Sequence, residues 1–241
     1  MSSMKVKIVH VLCEGQTEQG FVEAVLRPYL QAHGITGIKS VLLTTNKKQN
    51  TRGGMLSYIQ VKTDVDLLLH IHQDSDYESH VFTTMFDYYA LPNDFPGYAD
   101  AVTIHDPYLR VESLENYFKT DIKDSRFIPY IQLHEFEALL FCGIDHLKQL
   151  YPNSIKGCQQ LSRDLVQTGN PELIDDGLNT APSKRIIRAI EGERHTLYRY
   201  NKPATGKAVT KEIGIDTLRS KCPHFDKWIQ NLIDTVRNVI P

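Results

Sequence analysis

An apolar, β-branched run at residues 5–13 constrains the fold more than any other feature of this sequence. Runs of this kind are typical of a strand that is buried on both faces, as in a parallel sheet. The run stops at Glu14 and Gly15, and residues 17–33 then carry apolar side chains at the three- and four-residue spacing of one helix face. A buried strand followed at once by a helix predicts an α/β fold, in which ligands bind at the carboxyl ends of the strands.

Two acidic residues flank the predicted turn from strand to helix. Glu14 follows the strand, and Glu18 lies four residues later in the first helical turn. Gly15 lets the chain turn sharply between them, so the two carboxylates could face one point. Two convergent acids suit a hard, oxygen-preferring cation such as Mg²⁺. The simpler alternative is that Glu18 caps the helix and that Glu14 is a solvated loop acid.

The composition limits the classes of function without choosing one. The chain has 241 residues, enough for one large domain or for one domain with an appended subdomain, and a formal net charge of −2. This charge provides no global basic field for nucleic acid, but a metal site and a small basic face would suffice for a nuclease. We expect no membrane span and no signal peptide. The four cysteines are far apart and form no CxxC pair, which indicates a reduced, cytoplasmic chain with half-buried thiols.

A second strand is predicted at residues 38–45, followed by a polar loop at residues 46–54 that carries Lys47, Lys48 and Arg52. Because this loop lies beside the predicted strand end, it could hold a phosphate backbone. A solvated surface loop is an equally good interpretation.

Residues 55–76 are compatible with a helix or with a strand. As a strand, the segment would end in Asp74 and Asp76, a DxD pair of the kind that binds metal. We favour the helix, because residues 81–86 are rich in β-branched and aromatic residues and form a better strand. That strand ends in Asp87, which repeats the placement of the first acid. Asp74 and Asp76 then lie in the connection between helix and strand.

A zinc motif is a third interpretation of the same region. His70, His72 and Asp74 match the HxHxD start of some zinc sites. That motif needs a further histidine where this chain has Ser75. Chance spacing is therefore the more economical interpretation.

A further group of candidates follows a strand predicted at residues 127–132, itself preceded by a helix predicted at residues 111–123. Here His134, Glu135 and Glu137 lie where the strand ends and an apolar helix begins. They could complete the ligands of a metal or act as a base and its orienting group. Alternatively, Glu137 caps the helix or pairs with a basic neighbour. The HExxH motif of zinc proteases is absent.

Basic residues in the C-terminal part are candidates for phosphate contact. Helices are predicted from their periodicity at residues 155–168, 183–190 and 229–239. Ser183, Lys184 and Arg185 open the second of these, where the helix dipole disfavours cations unless an anionic ligand offsets the cost. Lys202 and Lys207 are predicted in a flexible loop, from which either could reach a scissile phosphate. For each lysine alone, a solvated surface position is the more economical alternative.

Several motifs together resemble those of a bacterial family of domains of unknown function that is regarded as Toprim-like. They are EGQTE at residues 14–18, TTMFDYYALPNDFPG at 83–97, FIPYIQLHEFEALLF at 127–141, TAPSKR at 180–185, and CPHF followed by a tryptophan at 222–228. The resemblance covers nearly the whole chain. More distantly, the chain is similar to the nuclease domain of overcoming-lysogenization-defect proteins.

The resemblance implies a Toprim-like α/β domain at residues 1–150, with a mostly parallel sheet flanked by helices, that carries the metal site. A helical C-terminal extension at residues 151–241 would pack on it. By the same resemblance, Glu14 is the first Toprim acid and Asp87 the first Asp of the DxD pair. Glu18 matches the second acid of the ExxxE of the nuclease branch.

The sequence departs from the Toprim pattern at Tyr89, which stands where the second acid of the DxD pair belongs. Glu135 or Glu137 would have to supply the missing carboxylate. The expected metal ligands are Glu14, Glu18, Asp87 and Glu135.

The expected activity is hydrolysis of phosphodiester bonds in DNA or RNA, with Mg²⁺ or Mn²⁺ as cofactor. Glu18 or Glu137 would accept the proton of the attacking water, and Lys184, Arg185 or Lys202 would stabilise charge on the phosphate. The expected catalytic residues are Glu14, Glu18, Asp87, Glu135, Glu137 and Lys202. The expected phosphate contacts are Ser183, Lys184 and Arg185.

The resemblance also implies a role in phage defence beside a partner ATPase. The alternative function is a catalytically inert Toprim-like module that binds and regulates such an ATPase, which the tyrosine at position 89 favours. Acids grouped at strand ends favour the enzyme, since unpaired carboxylates repel one another and persist where a cation or a proton compensates.

Overall fold

The computed structural model describes residues 5–44, 55, 57–174, 177, 180–192 and 198–237. The polar loop predicted at residues 46–54 lies outside these ranges, and so does the end of the last predicted helix. Within them, the chain forms a five-stranded sheet with helices on both faces.

The strands are β1 (Val6–Cys13), β2 (Gly37–Leu42), β3 (Glu78–Asp87), β4 (Phe127–Ile128) and β5 (Ile131–Gln132). β1 lies between β2 and β3, and β4 and β5 extend the sheet from the other edge of β3. Every described pair of strands is parallel, so the predicted α/β fold with a mostly parallel sheet is confirmed. β1 is an apolar run because both its faces are covered: Val9 and Val11 belong to one core, and Leu12 belongs to the other.

The strand predicted at residues 127–132 is divided into β4 and β5. Pro129 lies at the division and cannot donate a ladder hydrogen bond. The hydroxyl of Thr84 bridges the gap, because its Oγ1 accepts from the N–H of Tyr130 and donates to the carbonyl of Tyr130, each at 2.9 Å. A side chain of β3 thus replaces the missing part of the backbone ladder.

The helix predicted at residues 17–33 is confirmed and contains a π-helical turn. Its parts are α1 (Gln16–Phe21), the π-helical turn (Val22–Leu26) and α2 (Arg27–Ala32). Pro28 has no N–H to donate to the carbonyl of Ala24, four residues earlier, so the regular α-helical bond cannot form at this point.

Three more helices follow in the N-terminal half: α3 (Tyr58–Ile71), α4 (Tyr98–Ala101) and α5 (Pro107–Ile122). α3 decides the ambiguous segment in favour of the helix. Its buried residues, Val61, Val65 and Leu69, recur at four-residue steps. Asp74 and Asp76 lie in the connection to β3, as predicted.

The C-terminal part is helical, and the predicted helices at residues 155–168 and 183–190 are confirmed. The helices are α6 (Ile144–Leu150), α7 (Ile155–Thr168), α8 (Pro182–Glu191), α9 (Lys202–Ile213), α10 (Ile215–Lys221) and α11 (Pro223–Arg237). Short 3₁₀ helices occur at Tyr88–Ala90, Phe136–Gly143 and Pro171–Leu173.

The prediction of a flexible loop around Lys202 and Lys207 is wrong, because both lysines lie in α9. The start signals of this helix are local. The side chain of Asn201 accepts from the N–H of Ala204 at 3.0 Å, and Pro203 fits the first turn. Lys202 is therefore held at the start of a helix.

The C-terminal helices pack on the same face of the sheet as α1. The indole Nε1 of Trp228 on α11 donates to Thr83 Oγ1 on β3 at 2.9 Å. α9 approaches α1 closely at Gly206, where a Cβ atom would lie 2.9 Å from Thr17 Cγ2 and 2.9 Å from Phe136 Cε1. This close approach fixes α9, which begins with Lys202, beside the first helix. The division at residue 150 stays a prediction.

None of the helices in the described ranges combines the length and the apolar character that a membrane span requires. All four cysteines are free and buried, more deeply than the sequence suggested. The Sγ atoms of Cys142 and Cys222 lie 3.4 Å apart.

Candidate functional site at the carboxyl ends of β1 and β3

The chain reverses its direction across the sheet after β2. Since β2 lies on one side of β1 and β3 lies on the other, the carboxyl ends of β1 and β3 border a topological switch point, where open parallel sheets bind ligands. Glu14 follows β1 directly, and Asp87 is the last residue of β3. The N–H of Asp87 donates to Glu14 Oε2 at 3.1 Å. The two strand-end acids identified in the sequence are thus adjacent.

Glu18 joins this pair from the first turn of α1. It is buried, and its Oε2 accepts from the N–H of Gly15 at 2.9 Å. The carboxylate therefore caps the helix, as the simpler interpretation of the sequence holds. It also lies close enough to Glu14 to raise the pKa of that residue. The Glu18 carboxylate thus caps α1 and also belongs to the acid cluster.

The chain that leads into the 3₁₀ helix Phe136–Gly143 fixes two more carboxylates. The N–H of Phe136 donates to Asp87 Oδ1 at 2.8 Å. Glu135 Oε2 accepts from the N–H of Ser183 at 2.9 Å, which connects the start of α8 to this segment. With Glu14 and Glu18, four acids now have one oxygen held by a backbone N–H group. Because the backbone cannot rotate away, these carboxylates are oriented before any ligand arrives.

His134 precedes these acids in a strained conformation. It is buried, and its φ of 62° lies in the left-handed region that non-glycine residues rarely adopt. Its carbonyl accepts from the N–H of Tyr89 at 3.0 Å. Strain of this kind is concentrated at functional sites in proteins.

Lys202, at the start of α9, brings positive charge to the acids. Its Nζ lies 3.1 Å from Glu137 Oε2 and 3.7 Å from Asp87 Oδ2. Glu137 is fully buried, and the hydroxyl of Tyr200 donates to its Oε1 at 3.1 Å. Glu137 thus pairs with a basic neighbour, one of the alternatives that the sequence left open. Tyr200 was not identified from the sequence, where its one relevant feature is that it precedes Lys202 by two residues.

Burial dominates the electrostatics of the site. It raises the pKa of Glu14 to about 7, and repulsion from Glu18 adds to this effect. It also raises the pKa of Glu18, Asp87 and Glu137. Burial alone would lower the pKa of Lys202, but attraction to Asp87, Glu137 and Glu18 outweighs it, so the pKa is raised and the ammonium stays charged. In the part of the chain that is described, four clustered acids therefore face one ammonium.

The donor set suits a hard divalent cation by its chemistry. Carboxylate oxygens are the ligands that Mg²⁺ prefers, and a cation would supply positive charge that Lys202 alone does not. The acids are spaced more widely than a compact triad. Among the described residues, the one group of three whose potential ligand atoms all lie within 4.8 Å of one another is formed by His10, His72 and His80.

The profile of one protein family, described as Domain of unknown function (DUF4276), matches residues 13–233. The chain belongs to this family. No curated protein and no solved structure shows a significant match to it. The family match begins at the last residue of β1 and includes Glu14, Glu18, Asp87, Glu137 and Lys202. The predicted membership of a family of unknown function is thus confirmed.

In this DUF4276 protein, the three predicted phosphate-contact residues at the start of α8 have different surroundings. Ser183 is connected to the site through its N–H, which Glu135 accepts. The guanidinium of Arg185 donates to Asp164 at 2.8 Å and so joins α8 to α7. Lys184 is exposed. Of the three, Ser183 is thus the residue with a described contact to the acids.

The alternative DxD pair lies elsewhere in the DUF4276 fold. Asp74 and Asp76 precede β3, whereas Asp87 ends it, and a strand of this length spans about 30 Å. Tyr89, two residues after Asp87, is 41% exposed and offers no carboxylate. The acids that accompany Asp87 come instead from Glu14, Glu18 and Glu137.

Proposed function

We propose that this site hydrolyses phosphodiester bonds with Mg²⁺ or Mn²⁺ and that the protein acts as a nuclease on DNA or RNA. One observation carries the proposal: three acids lie near one another beside Lys202 at the switch point of a parallel sheet, of which Glu18 and Asp87 are buried and Glu14 is half-buried. Buried carboxylates with raised pKa values are unfavourable as a group unless a cation or a proton compensates their charge.

The residues divide into those that hold the cation and those that move protons. The cation, when bound, polarises a phosphoryl oxygen and lowers the pKa of a water molecule. Glu14 and Asp87 are the proposed ligands, with Glu135 as a third, because a backbone N–H group fixes one oxygen of each. Glu18 is the proposed base, since burial raises its pKa and so makes its carboxylate a better proton acceptor.

Lys202 and Glu137 have a joint role in the proposal. Because Glu137 already contacts Lys202 and Tyr200, it is better suited to position the ammonium than to accept a proton. The side chain of Lys202 is 39% exposed, so a substrate phosphate can reach it. An ammonium in this place would stabilise the charge that develops on the phosphate.

The same geometry favours a Toprim-like relationship. An acid directly after the first strand and an Asp at the end of the neighbouring parallel strand agree with the resemblance seen in the sequence. A role in phage defence, with an ATPase as partner, is part of the proposal and rests on that resemblance.

The experiment is a cleavage assay of the purified full chain with Mg²⁺ or Mn²⁺ and three substrates: plasmid, single-stranded DNA and transfer RNA. Glu14→Gln and Asp87→Asn test the site, and Asp76→Asn is the matched control, because Asp76 is exposed and belongs to the alternative DxD pair. We expect metal-dependent cleavage by the wild type and by Asp76→Asn, and none by the other two. Equal cleavage by Asp87→Asn would contradict the assignment.

A second candidate is an inert module that binds and regulates an ATPase. Two observations favour it: Lys202 already compensates part of the negative charge, and Tyr89 replaces an acid. Thermal unfolding with and without Mg²⁺ or Mn²⁺ separates the two functions, since a cation that binds the folded chain raises its melting temperature. No rise in melting temperature, together with no cleavage, would favour the inert module.

A further inference from the structure

A second cluster of possible ligands lies on the same two strands, away from the acids. This histidine cluster consists of His10 in β1, His80 near the start of β3, and His72, which follows α3. One ring nitrogen of each lies within 4.8 Å of the others, and His10 Nε2 is 3.1 Å from His80 Nδ1. Along the strands, His10 lies about 13 Å from Glu14, and His80 about 23 Å from Asp87. The cluster is therefore separate from the acid site.

The sheet register brings the three rings together. His80 pairs with Ile8 and Phe82 pairs with His10 in adjacent parallel strands, so the two histidines are diagonal neighbours on one face. The end of α3 adds His72, whose ring stacks on that of His10 with 4.2 Å between the centroids. The ligands come from three separate elements, so the HxHxD pattern in the sequence includes His72 but reveals neither His10 nor His80.

We propose that the histidine cluster binds Zn²⁺ or another transition-metal dication that prefers imidazole ligands. Two ring nitrogens that face each other at 3.1 Å share either a proton or a cation. Nitrogens on one tetrahedral Zn²⁺ lie about 3.3 Å apart, which is close to the separation found here. Three protein ligands would leave a fourth position for water, and the half-buried His72 provides access from solvent.

The deep burial of the polar His10 ring is unusual. This residue is 1% exposed, and its Nδ1 has no hydrogen-bond partner within the described ranges. Buried polar atoms are normally satisfied, so an unsatisfied one requires an explanation. Nδ1 is the ring nitrogen that does not face His80, so the cation would bind the other nitrogen, Nε2, and would account for the retention of a polar ring in this buried position.

The protonation state of His10 is the one that a metal requires. Burial, followed by the influence of His72, His80, Lys39 and Arg126, lowers the pKa of His10 to about 3. The ring is therefore neutral at physiological pH, and neutral imidazole is the form that binds transition metals.

Charges of both signs surround the cluster. Lys39 and Arg126 disfavour a cation, and the guanidinium of Arg126 is paired with Asp124 at 2.8 Å. Glu78 Oε2 lies 3.8 Å from His80 Nε2, the ring nitrogen that does not face His10. This carboxylate adds negative charge near the cluster, which favours a cation.

The test is a titration of the full chain, freed of metal with a chelator, with Co²⁺ followed by visible absorption and then displacement by Zn²⁺. His72→Gln and His80→Gln remove ligands. His70→Gln is the matched control, because His70 is exposed at the end of the same helix and belongs to the HxHxD pattern instead. Asp87→Asn reports any binding at the acid site.

We expect saturable binding by the wild type, His70→Gln and Asp87→Asn, and binding at least about tenfold weaker in His72→Gln and His80→Gln. Circular dichroism of each variant checks the fold. If His80→Gln does not fold, the affinity of His72→Gln for the metal ion decides whether the histidine cluster binds it. Absence of saturable binding by the wild type would overturn the proposal and identify a shared proton instead. Equal losses in His70→Gln and His72→Gln, or loss of binding in Asp87→Asn, would overturn it as well.

Discussion

The buried Glu172 and the acids at the ends of β1 and β3 differ in how many hydrogen bonds their carboxylates accept from the protein. Glu172 is a single acid with no exposed surface. Its Oε2 accepts from the hydroxyl of Tyr108 and from the N–H of His224, each at 3.1 Å, and its Oε1 accepts from the N–H of Phe225 at 3.0 Å. Both oxygens are therefore occupied, and the residue fixes the start of α11.

The acids at the ends of β1 and β3 are satisfied less completely. Glu14, Glu18 and Asp87 each have one oxygen held by a backbone N–H, and together with Glu137 they share the ammonium of Lys202. A saturated acid such as Glu172 stabilises the fold, whereas acids that repel one another and share few donors remain open to a cation. Burial alone does not separate the two cases, because it raises the pKa of Glu172 as well.

The largest effect is expected from Lys202→Met, which removes the ammonium that the four acids share. Cleavage should fall about 100- to 1,000-fold, because charge on the phosphate would lose its stabilising partner. Lys211→Met is the matched control, since Lys211 is exposed on the same helix. The measurement is the initial rate of cleavage at saturating Mg²⁺, and an unchanged rate in Lys202→Met would remove this residue from the mechanism.

Replacing Glu172 and Glu14 with glutamine, one at a time, tests whether the two kinds of carboxylate differ in their effect on stability. Glu172→Gln should lower the free energy of unfolding by about 2 kcal/mol, because an amide cannot accept all three hydrogen bonds. Glu14→Gln should leave the free energy of unfolding unchanged or raise it when no metal is present, because it removes a repelling charge. Urea unfolding in the presence of a chelator measures the free energy of unfolding of both variants. A similar decrease in the two variants would contradict the difference between the two kinds of acid.

The pH dependence of stability tests whether the raised pKa of Glu14 makes its ionised form unfavourable in the folded chain. The pKa of Glu14 is 4.5 in its ordinary state and about 7 in the folded chain, so between these values the folded state keeps a proton that the unfolded state has lost. The contribution of Glu14 to stability therefore falls as pH rises through this window. Relative to the wild type, Glu14→Gln should gain stability from about pH 5 to about pH 8 in urea unfolding without metal.

Excess Mg²⁺ is the control for this measurement. A bound cation compensates the ionised carboxylate, so it should reduce the pH-dependent difference between the wild type and Glu14→Gln. A difference that is constant with pH would show that the acids do not repel one another as the geometry implies.

The smallest effect is expected from Tyr200→Phe, which removes one hydrogen bond to Glu137. The free energy of unfolding should fall by about 1 kcal/mol, the usual net value of a single hydrogen bond. Cleavage should decrease by less than in Lys202→Met, because the ammonium remains. A larger loss of cleavage in Tyr200→Phe would assign the hydroxyl a direct role in the reaction.

The sequence predicted those parts of the fold and of the acid site that depend on local signals. β1, the helix after it and the placement of Glu14 follow from neighbouring residues, and Asp87 follows from a strand that ends in an acid. Contacts between distant segments were not predictable in this way. Tyr200 meets Glu137 from 63 residues away, and the histidine cluster combines three separate elements.

Lys202 shows an intermediate case. It was named as a candidate for the site, but its surroundings were predicted wrongly, because the cap at Asn201 and the proline at 203 were not interpreted as a helix start. The apolar periodicity of α9 is weak, since small residues such as Gly206 form its contact with α1.

The most direct test of the central claim is calorimetric titration of the metal-free full chain with Mn²⁺ at neutral pH, with His72→Gln as the background in every sample so that the histidine cluster does not contribute. We predict saturable binding in this background and in its Asp76→Asn derivative. The Asp87→Asn derivative should lose it. Equal binding with and without Asp87, or no binding in the parent, would contradict the claim that the acids at the ends of β1 and β3 form a divalent-cation site.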